Sequence, residues 1–211
     1  KIPQGCELDI DGSMSVDAFE ESHAVQTMLH RFYKRQNHCD NTQLAPIPGT
    51  GANPVTLRGM LFVSVSSKVN VSGGVRDFAD IICSMTNEWC DGTDANKTLF
   101  ICYVGAPMVF FAGQWKRAQK GATVEDIYND MANRTRRGVF AGVRLKDDAP
   151  FSSVCSHCVV IGYALTRRAM TAAFTPKDEP NVLCKLQYVI FTAPKQLTID
   201  AVSQRITRAS H

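Results

Sequence analysis

Four carboxylates are grouped where cation chemistry could take place. Asp91 and Asp94 follow a predicted helix, and Glu125 and Asp126 open the next one. If the ends of these elements converge, the four acidic side chains would line a pocket for a hard cation such as calcium. Such an ion would polarise a phosphoryl oxygen or activate water, as in a metal-dependent acid phosphatase. The alternative interpretation makes Asp91 a helix stop and Asp94 a turn residue. Glu125 and Asp126 would then be first-turn partners of a helix dipole.

A second candidate for chemistry is the C-x-x-C sequence Cys155-Ser156-His157-Cys158. A redox dithiol needs a helix N-terminus to lower the thiol pKa, but the strand-like residues 159–161 follow here. A zinc site needs a second ligand pair, and none occurs at that spacing. We therefore expect Cys155 and Cys158 to belong to separate structural disulfides.

A third candidate is an aromatic group that would serve binding rather than catalysis. Phe110 and Phe111 are adjacent in a predicted strand, so their side chains face opposite sides of it. Trp115 lies just beyond them. Core packing accounts for one of the two phenylalanines. The other, with Trp115, would form a binding edge if its face is open. Motifs of zinc proteases, serine hydrolases and P-loop enzymes do not occur in the sequence.

Cysteines and glycan acceptors indicate where the protein resides. The even number of cysteines and the three N-x-[ST] sequons are typical of an oxidising, secretory environment. We expect a secreted or extracellular glycoprotein whose signal peptide has been removed before Lys1, with its cysteines in disulfides. The predicted glycosylation sites are Asn70, Asn96 and Asn133, and the cysteines are Cys6, Cys39, Cys83, Cys90, Cys102, Cys155, Cys158 and Cys184.

Composition narrows the possible partners. The apolar fraction of 45% is enough for a core, so the disulfides would be staples rather than a substitute for it. The net charge of +3 and the short basic groups, without interleaved aromatics, do not indicate nucleic-acid binding. The longest apolar run, 98–113, is interrupted by Gly105-Ala106-Pro107, so no membrane span is expected. The charge balance itself favours no particular partner.

The spacing of apolar residues predicts the helices and strands that would position these residues. Apolar residues at helical spacing, Val25, Met28, Leu29 and Phe32, predict one helix from about Val16 to Lys34. The same spacing predicts a second helix through Phe78 and Trp89 and a third after Thr123, where Thr123 and Asp126 resemble a capping box. A short final helix after Thr198 is also predicted. Apolar runs predict strands at 60–65, 98–104, 108–112, 159–165 and 183–191, the second and third forming an antiparallel hairpin. The predicted fold class is α/β, with a single mixed β-sheet flanked by helices and stapled by disulfides.

The order of these segments resembles the TPM domain, in the cysteine-bearing form found in nematodes. The resemblance runs from the Cys-Asp-Gly entry at 6–15, through the strand at 60–65 and the helix 78–89, to the apolar hairpin 98–113 and the helix with basic-Gly turn at 124–138. It covers about two-thirds of the chain. The family's acidic-Arg pair in the hairpin turn is replaced here by Gly105-Ala106-Pro107. The resemblance gives a TPM-like α/β domain over 1–145 and an extension over 146–211 that completes the same domain.

The resemblance implies two kinds of activity. Some TPM relatives are acid phosphatases or calcium-binding assembly factors, and one nematode relative is an auxiliary protein of acetylcholine receptors. Because the turn residues differ, the binding role is favoured. The sequence therefore predicts a secreted, disulfide-rich module that acts by protein–protein interaction, as a receptor-modulating or host-interacting factor. The alternatives are a metal-dependent phosphatase that holds calcium at the four carboxylates and a carrier of a small apolar ligand.

Overall fold

Eight strands form one sheet in the part of the chain that the computed structural model describes. That part comprises residues 15–39, 43–44, 55–65, 74–89, 96–103, 106–138, 140, 143–146, 148–163 and 173–192. The strands are β1 Gln43–Leu44, β2 Val55–Val65, β3 Thr98–Tyr103, β4 Met108–Phe111, β5 Gln114–Arg117, β6 His157–Tyr163, β7 Ala173–Phe174 and β8 Val182–Phe191. Their spatial order is β5-β4-β3-β6-β2-β8-β7, with β1 pairing the beginning of β2.

The sheet is mixed, and its centre is parallel. Strands β3, β6, β2 and β8 run parallel to one another, while β4, β5 and β7 pair antiparallel at the two sides. Parallel strands covered on both faces are apolar throughout, because neither set of alternate side chains meets water. In β2 the residues Met60–Val63 are all at most 2% exposed. The predicted α/β class with a mixed sheet is confirmed.

Three helices cover the first face of the sheet: α1 Val16–Glu21, α2 His23–Cys39 and α3 Gly74–Trp89. The single helix predicted over 16–34 is wrong in one respect, because it is interrupted at Ser22. Ser22 has an extended ψ of 111°, and its Oγ accepts a hydrogen bond from Val25 N at 3.4 Å. The serine therefore ends one helix and begins the next. The predicted apolar stripe packs inward, with Val25, Leu29 and Phe32 buried.

The second face is covered by one helix and a short turn. Helix α4 spans Val124–Arg136, and a 3₁₀ turn spans Phe151–Ser153. Tyr128 of α4 packs edge-on against Phe151 with ring centroids 5.0 Å apart, and Phe151 in turn contacts Phe111 at 5.5 Å. These rings join the helix, the turn and strand β4 into the second core.

A two-residue turn joins β4 to β5, a strand that the sequence analysis did not predict. Phe111 pairs with Gln114, and the residues between them, Ala112 and Gly113, have φ of 47° and 78°. Positive φ at both positions is the conformation of a type I′ turn, which suits the right-handed twist of a hairpin. Glycine adopts it without cost, but alanine does not.

Replacing Ala112 should therefore stabilise the protein. Ala112→Asn places the residue type that best tolerates this conformation, and we expect the free energy of unfolding to rise by about 1 kcal/mol. Urea denaturation measures the change. The matched control is Gln119→Asn, at an exposed position without positive φ, for which no gain is expected. An Ala112→Asn protein no more stable than the wild type would contradict the turn assignment.

The other predictions, on the strands, the membrane span and the last helix, compare with the structure as follows. The strand predicted at 60–65 begins earlier, at Val55, and the hairpin of β3 and β4 is confirmed. Strand β6, which follows the predicted boundary at residue 145, lies between β2 and β3 in the sheet. No helix among the described residues is long and apolar enough to cross a membrane. The helix predicted after Thr198 lies outside the described residues.

Candidate functional site

Of the four predicted cation ligands, the structure describes two, and both belong to the first turn of α4. Asp126 forms a capping box with Thr123: one carboxylate oxygen accepts from Thr123 N at 3.0 Å and from its Oγ1 at 2.8 Å. Thr123 Oγ1 in turn accepts from Asp126 N at 3.1 Å. These hydrogen bonds to the Thr123 backbone and hydroxyl lower the pKa of Asp126. The helix-cap interpretation of Asp126 therefore explains its position.

The other two predicted ligands, Asp91 and Asp94, lie outside the described residues. Within the described ranges, no group of three His, Cys, Asp or Glu side chains is placed to hold a metal ion. Glu125 is half-buried beside Asp126 at the beginning of α4. The calcium site that would use all four carboxylates thus stays a prediction.

The capping box gives a first prediction for the site. Thr123→Ala should lower the free energy of unfolding by about 1 kcal/mol, because one helix N–H loses its acceptor. The pKa of Asp126 is lowered on folding, so its contribution is present at neutral pH and lost as the pH falls through the carboxylate range. Urea denaturation of Thr123→Ala at neutral and at acid pH measures both effects, and the difference from wild type should shrink in acid.

Glu125→Gln is the matched control for this test, since Glu125 shares the first turn of α4 but not the capping hydrogen bonds. We expect a smaller loss, of roughly 0.3 kcal/mol, from the helix dipole alone. Equal losses in Glu125→Gln and Thr123→Ala would show that the capping geometry contributes nothing of its own.

The cysteines of the C-x-x-C sequence are buried thiols. Cys155 precedes β6 and Cys158 lies within it, so neither is at a helix N-terminus. Burial raises the pKa of Cys155 and of Cys184 to about 12, and it raises the pKa of Cys158 strongly as well. All three pack in the second core. Protonated thiols without solvent access are poor nucleophiles and poor metal ligands. The expectation against redox chemistry at this sequence is consistent with this environment.

The disulfide expectation is not met where the structure describes the cysteines. Cys83, Cys155, Cys158 and Cys184 are free thiols, and no disulfide joins any of them to Cys102. Cys155, Cys158 and Cys184 pack in the second core without two of their sulfurs reaching disulfide distance, and Cys83 belongs to the first core, on the other side of the sheet. The side chains of Cys6, Cys39 and Cys90 lie outside the described residues.

A buried arginine accompanies the thiols. Arg58 lies opposite Cys184 in the pairing of β2 with β8, and its Nη1 donates to Tyr128 Oη at 3.1 Å and to the Cys155 carbonyl at 3.5 Å. Burial disfavours its charge, but Tyr128 and Glu179 offset this, so that the pKa of Arg58 is raised. The cation also acts to lower the thiol pKa values, yet desolvation dominates.

The turn between β7 and β8 is hydrogen-bonded to the elements around these buried residues. Asp178 accepts from Arg136 Nη2 at 2.5 Å and from Phe151 N at 3.2 Å. Glu179 accepts from Ser152 N at 3.0 Å, and it is 7% exposed. Each carboxylate thus ties the turn to α4 or to the 3₁₀ turn. Arg58 likewise joins β2 to α4 and to the segment that precedes β6.

A different arrangement occurs at the β5 end of the sheet, on the first face. Trp115 is half-buried and stacks on Phe110, with ring centroids 5.0 Å apart, while Phe110 contacts Phe100 of the core. The guanidinium of Arg76, an exposed residue of α3, lies 5.4 Å from the centre of the Trp115 ring. A cation over an indole face is attracted by the ring quadrupole. Phe111 points the other way and is fully buried, as the alternation of the strand predicts.

The second face of the same strand repeats this pairing of a cation with a ring. Lys116 Nζ lies 5.8 Å from the centre of the Phe140 ring. Arg117, the next residue, is exposed. We call the group of Arg76, Phe110, Trp115, Lys116 and Arg117 the basic aromatic edge. Among the described strands, β5 is the last of the sheet on this side.

Part of this edge was foreseen and part was not. The sequence indicated Trp115 with one of Phe110 and Phe111, because adjacent strand residues cannot both face one core, and the structure shows that the one is Phe110. It did not indicate β5 as a strand, because Gln114–Arg117 lacks the branched residues that favour one. The Ala-Gly pair before it was the available signal. Arg76 was missed because its partner Trp115 is distant in sequence.

The sequons also have a place in the structure where it describes them. Asn96 and Asn133 are exposed, while the threonines that complete their sequons, Thr98 and Thr135, are fully buried. An exposed asparagine directs a glycan toward solvent without disturbing the core. Asn70 lies outside the described residues.

Comparison with known proteins adds no identity. A scan against protein-family models and searches of curated proteins and solved structures give no match to this chain. The TPM resemblance accordingly stays a prediction.

Proposed function

We propose that this protein is a binding module that acts by protein–protein contact, and that the basic aromatic edge is its contact surface. The observation that carries the proposal is the half-buried Trp115 held between Phe110 and Arg76 at the outermost described strand of the sheet. Aromatic and arginine side chains dominate the energy of protein interfaces. In this arrangement both are held by neighbouring groups before a partner arrives, which reduces the entropy lost on binding.

The test is a comparison of variants in recovery of partners from extracellular and cell-surface extract. Trp115→Ser removes the ring, and we expect at least a tenfold loss of every partner retained specifically by the wild type. The matched control is Gln187→Ala, at an exposed position on β8 near the other side of the sheet. Thermal melting shows whether each variant is folded. Partners retained equally by folded Trp115→Ser protein would overturn the proposal.

We propose further that the module is exported, because two of its sequons have exposed asparagines. The four free thiols lend this no support, so the sequons alone carry it. Expression in a secreting eukaryotic host should give a protein whose mass falls on deglycosylation. Asn96→Gln and Asn133→Gln should each remove one glycan and leave the melting temperature nearly unchanged. A secreted protein without glycan at either residue would contradict the assignment.

A further inference from the structure

Strand β5 pairs with β4 along one of its edges, and the backbone groups of its other edge face outward. In the β4–β5 hairpin, Gln114 pairs with Phe111 across the two-residue turn, and Ala118 N donates to the Pro107 carbonyl at 2.8 Å. Antiparallel pairs alternate between hydrogen-bonded and non-hydrogen-bonded, so Lys116 is the hydrogen-bonded residue between these two. The backbone N–H and C=O groups of Trp115 and Arg117 therefore point away from β4.

These outward groups define a register for an added strand. No strand of the described chain pairs with β5 on that side. An extended peptide would exchange hydrogen bonds with Trp115 and Arg117, and its side chains would alternate between the two faces of the sheet. One peptide residue would lie beside Trp115 on the first face, and the residue two positions away beside Arg117. The residue between these two would lie beside Lys116 on the second face.

Charge selects the chemistry of that peptide. Residues 106–123 contain Lys116, Arg117 and Lys120 and no aspartate or glutamate. Opposite charges on directly facing strand residues stabilise the pair, and like charges destabilise it. A second copy of this chain would bring the same cations against one another, which is how natural edge strands resist self-association. A partner segment with carboxylates would instead be attracted by these cations.

We infer that β5 receives an extended acidic segment of a protein partner by strand addition, an inference that rests on the proposed function. The segment carries an apolar residue beside Trp115 and carboxylates beside Lys116 and Arg117. Arg76 lies over the indole ring on the first face, where its charge also acts on Asp80 of α3, so Lys116 and Arg117 carry most of the attraction. Backbone hydrogen bonds supply affinity, and the alternation of apolar and acidic side chains supplies specificity.

A synthetic peptide tests this inference directly. The probe is fluorescein-labelled Val-Glu-Glu-Thr-Val-Glu-Glu-Thr, and its anisotropy is followed as the intact protein is added at low salt. We expect saturable binding that weakens at least tenfold when lysine replaces glutamate in the peptide, and that falls as salt is raised. A peptide of the same sequence, N-methylated at the alternate residues that would face Trp115 and Arg117, retains the charge but loses the donors aimed at β5, and it should also bind at least tenfold more weakly.

Two protein variants separate hydrogen bonding from charge. Arg117→Gln removes the cation and keeps the outward N–H, whereas Arg117→Pro removes both and leaves the inward bonds of the ladder in place. Arg117→Pro should bind the acidic peptide several-fold more weakly than Arg117→Gln, with both variants folded by thermal melting. Equal binding of the N-methylated peptide, or equal affinity of the two variants, would overturn strand addition.

The outcomes also distinguish this inference from the proposed function. If Trp115→Ser loses partners but no acidic peptide binds, the edge is a binding surface and the acidic strand is wrong. If sedimentation velocity shows a dimer that Arg117→Pro abolishes, a second copy is the occupant and the inference is overturned.

Discussion

Raising the pH from about 8 to about 10 should lower the free energy of unfolding by about 4 kcal/mol or more. The cause is the burial of Cys155, Cys158 and Cys184, whose thiols have a reference pKa of 9.0 that burial raises in the folded protein. Above pH 9.0 the unfolded chain releases these protons while the folded chain retains them, so stability decreases as the pH rises. Each thiol contributes about 1.4 kcal/mol by pH 10. This is a large part of the stability of an ordinary domain.

Urea denaturation at a series of pH values measures this effect. Cys184→Ala should remove about 1.4 kcal/mol of the alkaline loss, because one buried thiol is gone. Cys83→Ser should remove a similar share, since burial raises the pKa of Cys83 to about 12 as well. The control is Ser84→Ala, at the exposed neighbouring position of α3, which should leave the alkaline loss unchanged. Thiol titration of denatured, unreduced protein should find at least four reactive groups. A stability that is flat to pH 10, or fewer than four thiols, would show that these cysteines are crosslinked.

Removing the buried cation should cost the protein about 3 kcal/mol of stability. Arg58→Met keeps an unbranched apolar stem but loses the hydrogen bonds to Tyr128 Oη and the Cys155 carbonyl, and it leaves the nearly buried Glu179 without the nearby positive charge. Taking one member from a buried charged network is costly because the remaining groups cannot return to water. Chemical denaturation measures the loss, and Arg31→Met, at an exposed position on α2, should change stability by less than about 0.5 kcal/mol.

Tyr128→Phe separates the hydroxyl from the ring. We expect it to cost about 1 kcal/mol, since the ring contacts with Phe151 and Phe174 remain. The Arg58→Met/Tyr128→Phe double variant should lose less than the sum of the single losses, by about 1 kcal/mol, because both changes remove the same hydrogen bond. Additive losses would mean that the Arg58–Tyr128 contact contributes nothing to stability.

The sequence predicted best what is local. Helical spacing placed Val25, Leu29 and Phe32 on one buried face, and Thr123 and Asp126 as a capping pair, since these relations lie within a few residues of one another. It did not foresee the interruption at Ser22. A serine is tolerated inside a helix and also favoured as its cap, and only packing against the sheet decides between the two.

The sequence did not indicate contacts between residues that lie far apart along the chain. The contact of Arg58 with Tyr128 spans 70 positions, and nothing at either residue indicates the other. The disulfide expectation went astray for the same reason: an even number of cysteines and the sequons describe composition, whereas a crosslink depends on the distance between two sulfurs, which the fold sets. At the candidate site, alternation identified the aromatic rings, but the cation over Trp115 comes from α3.

The position of β6 has a consequence for how the nascent chain reaches its final form. Strands β2 and β3 leave the ribosome long before residues 157–163, yet β6 must be inserted between them, and β8 must reach the far side of β2 later still. Until then β2 has neither of its long neighbours, and its unpaired backbone N–H and C=O groups and its apolar side chains stay accessible to other chains. A fragment ending at residue 145 would preserve that incomplete state permanently. Chaperone retention during synthesis, and release only when the last third has emerged, is the behaviour that this insertion requires.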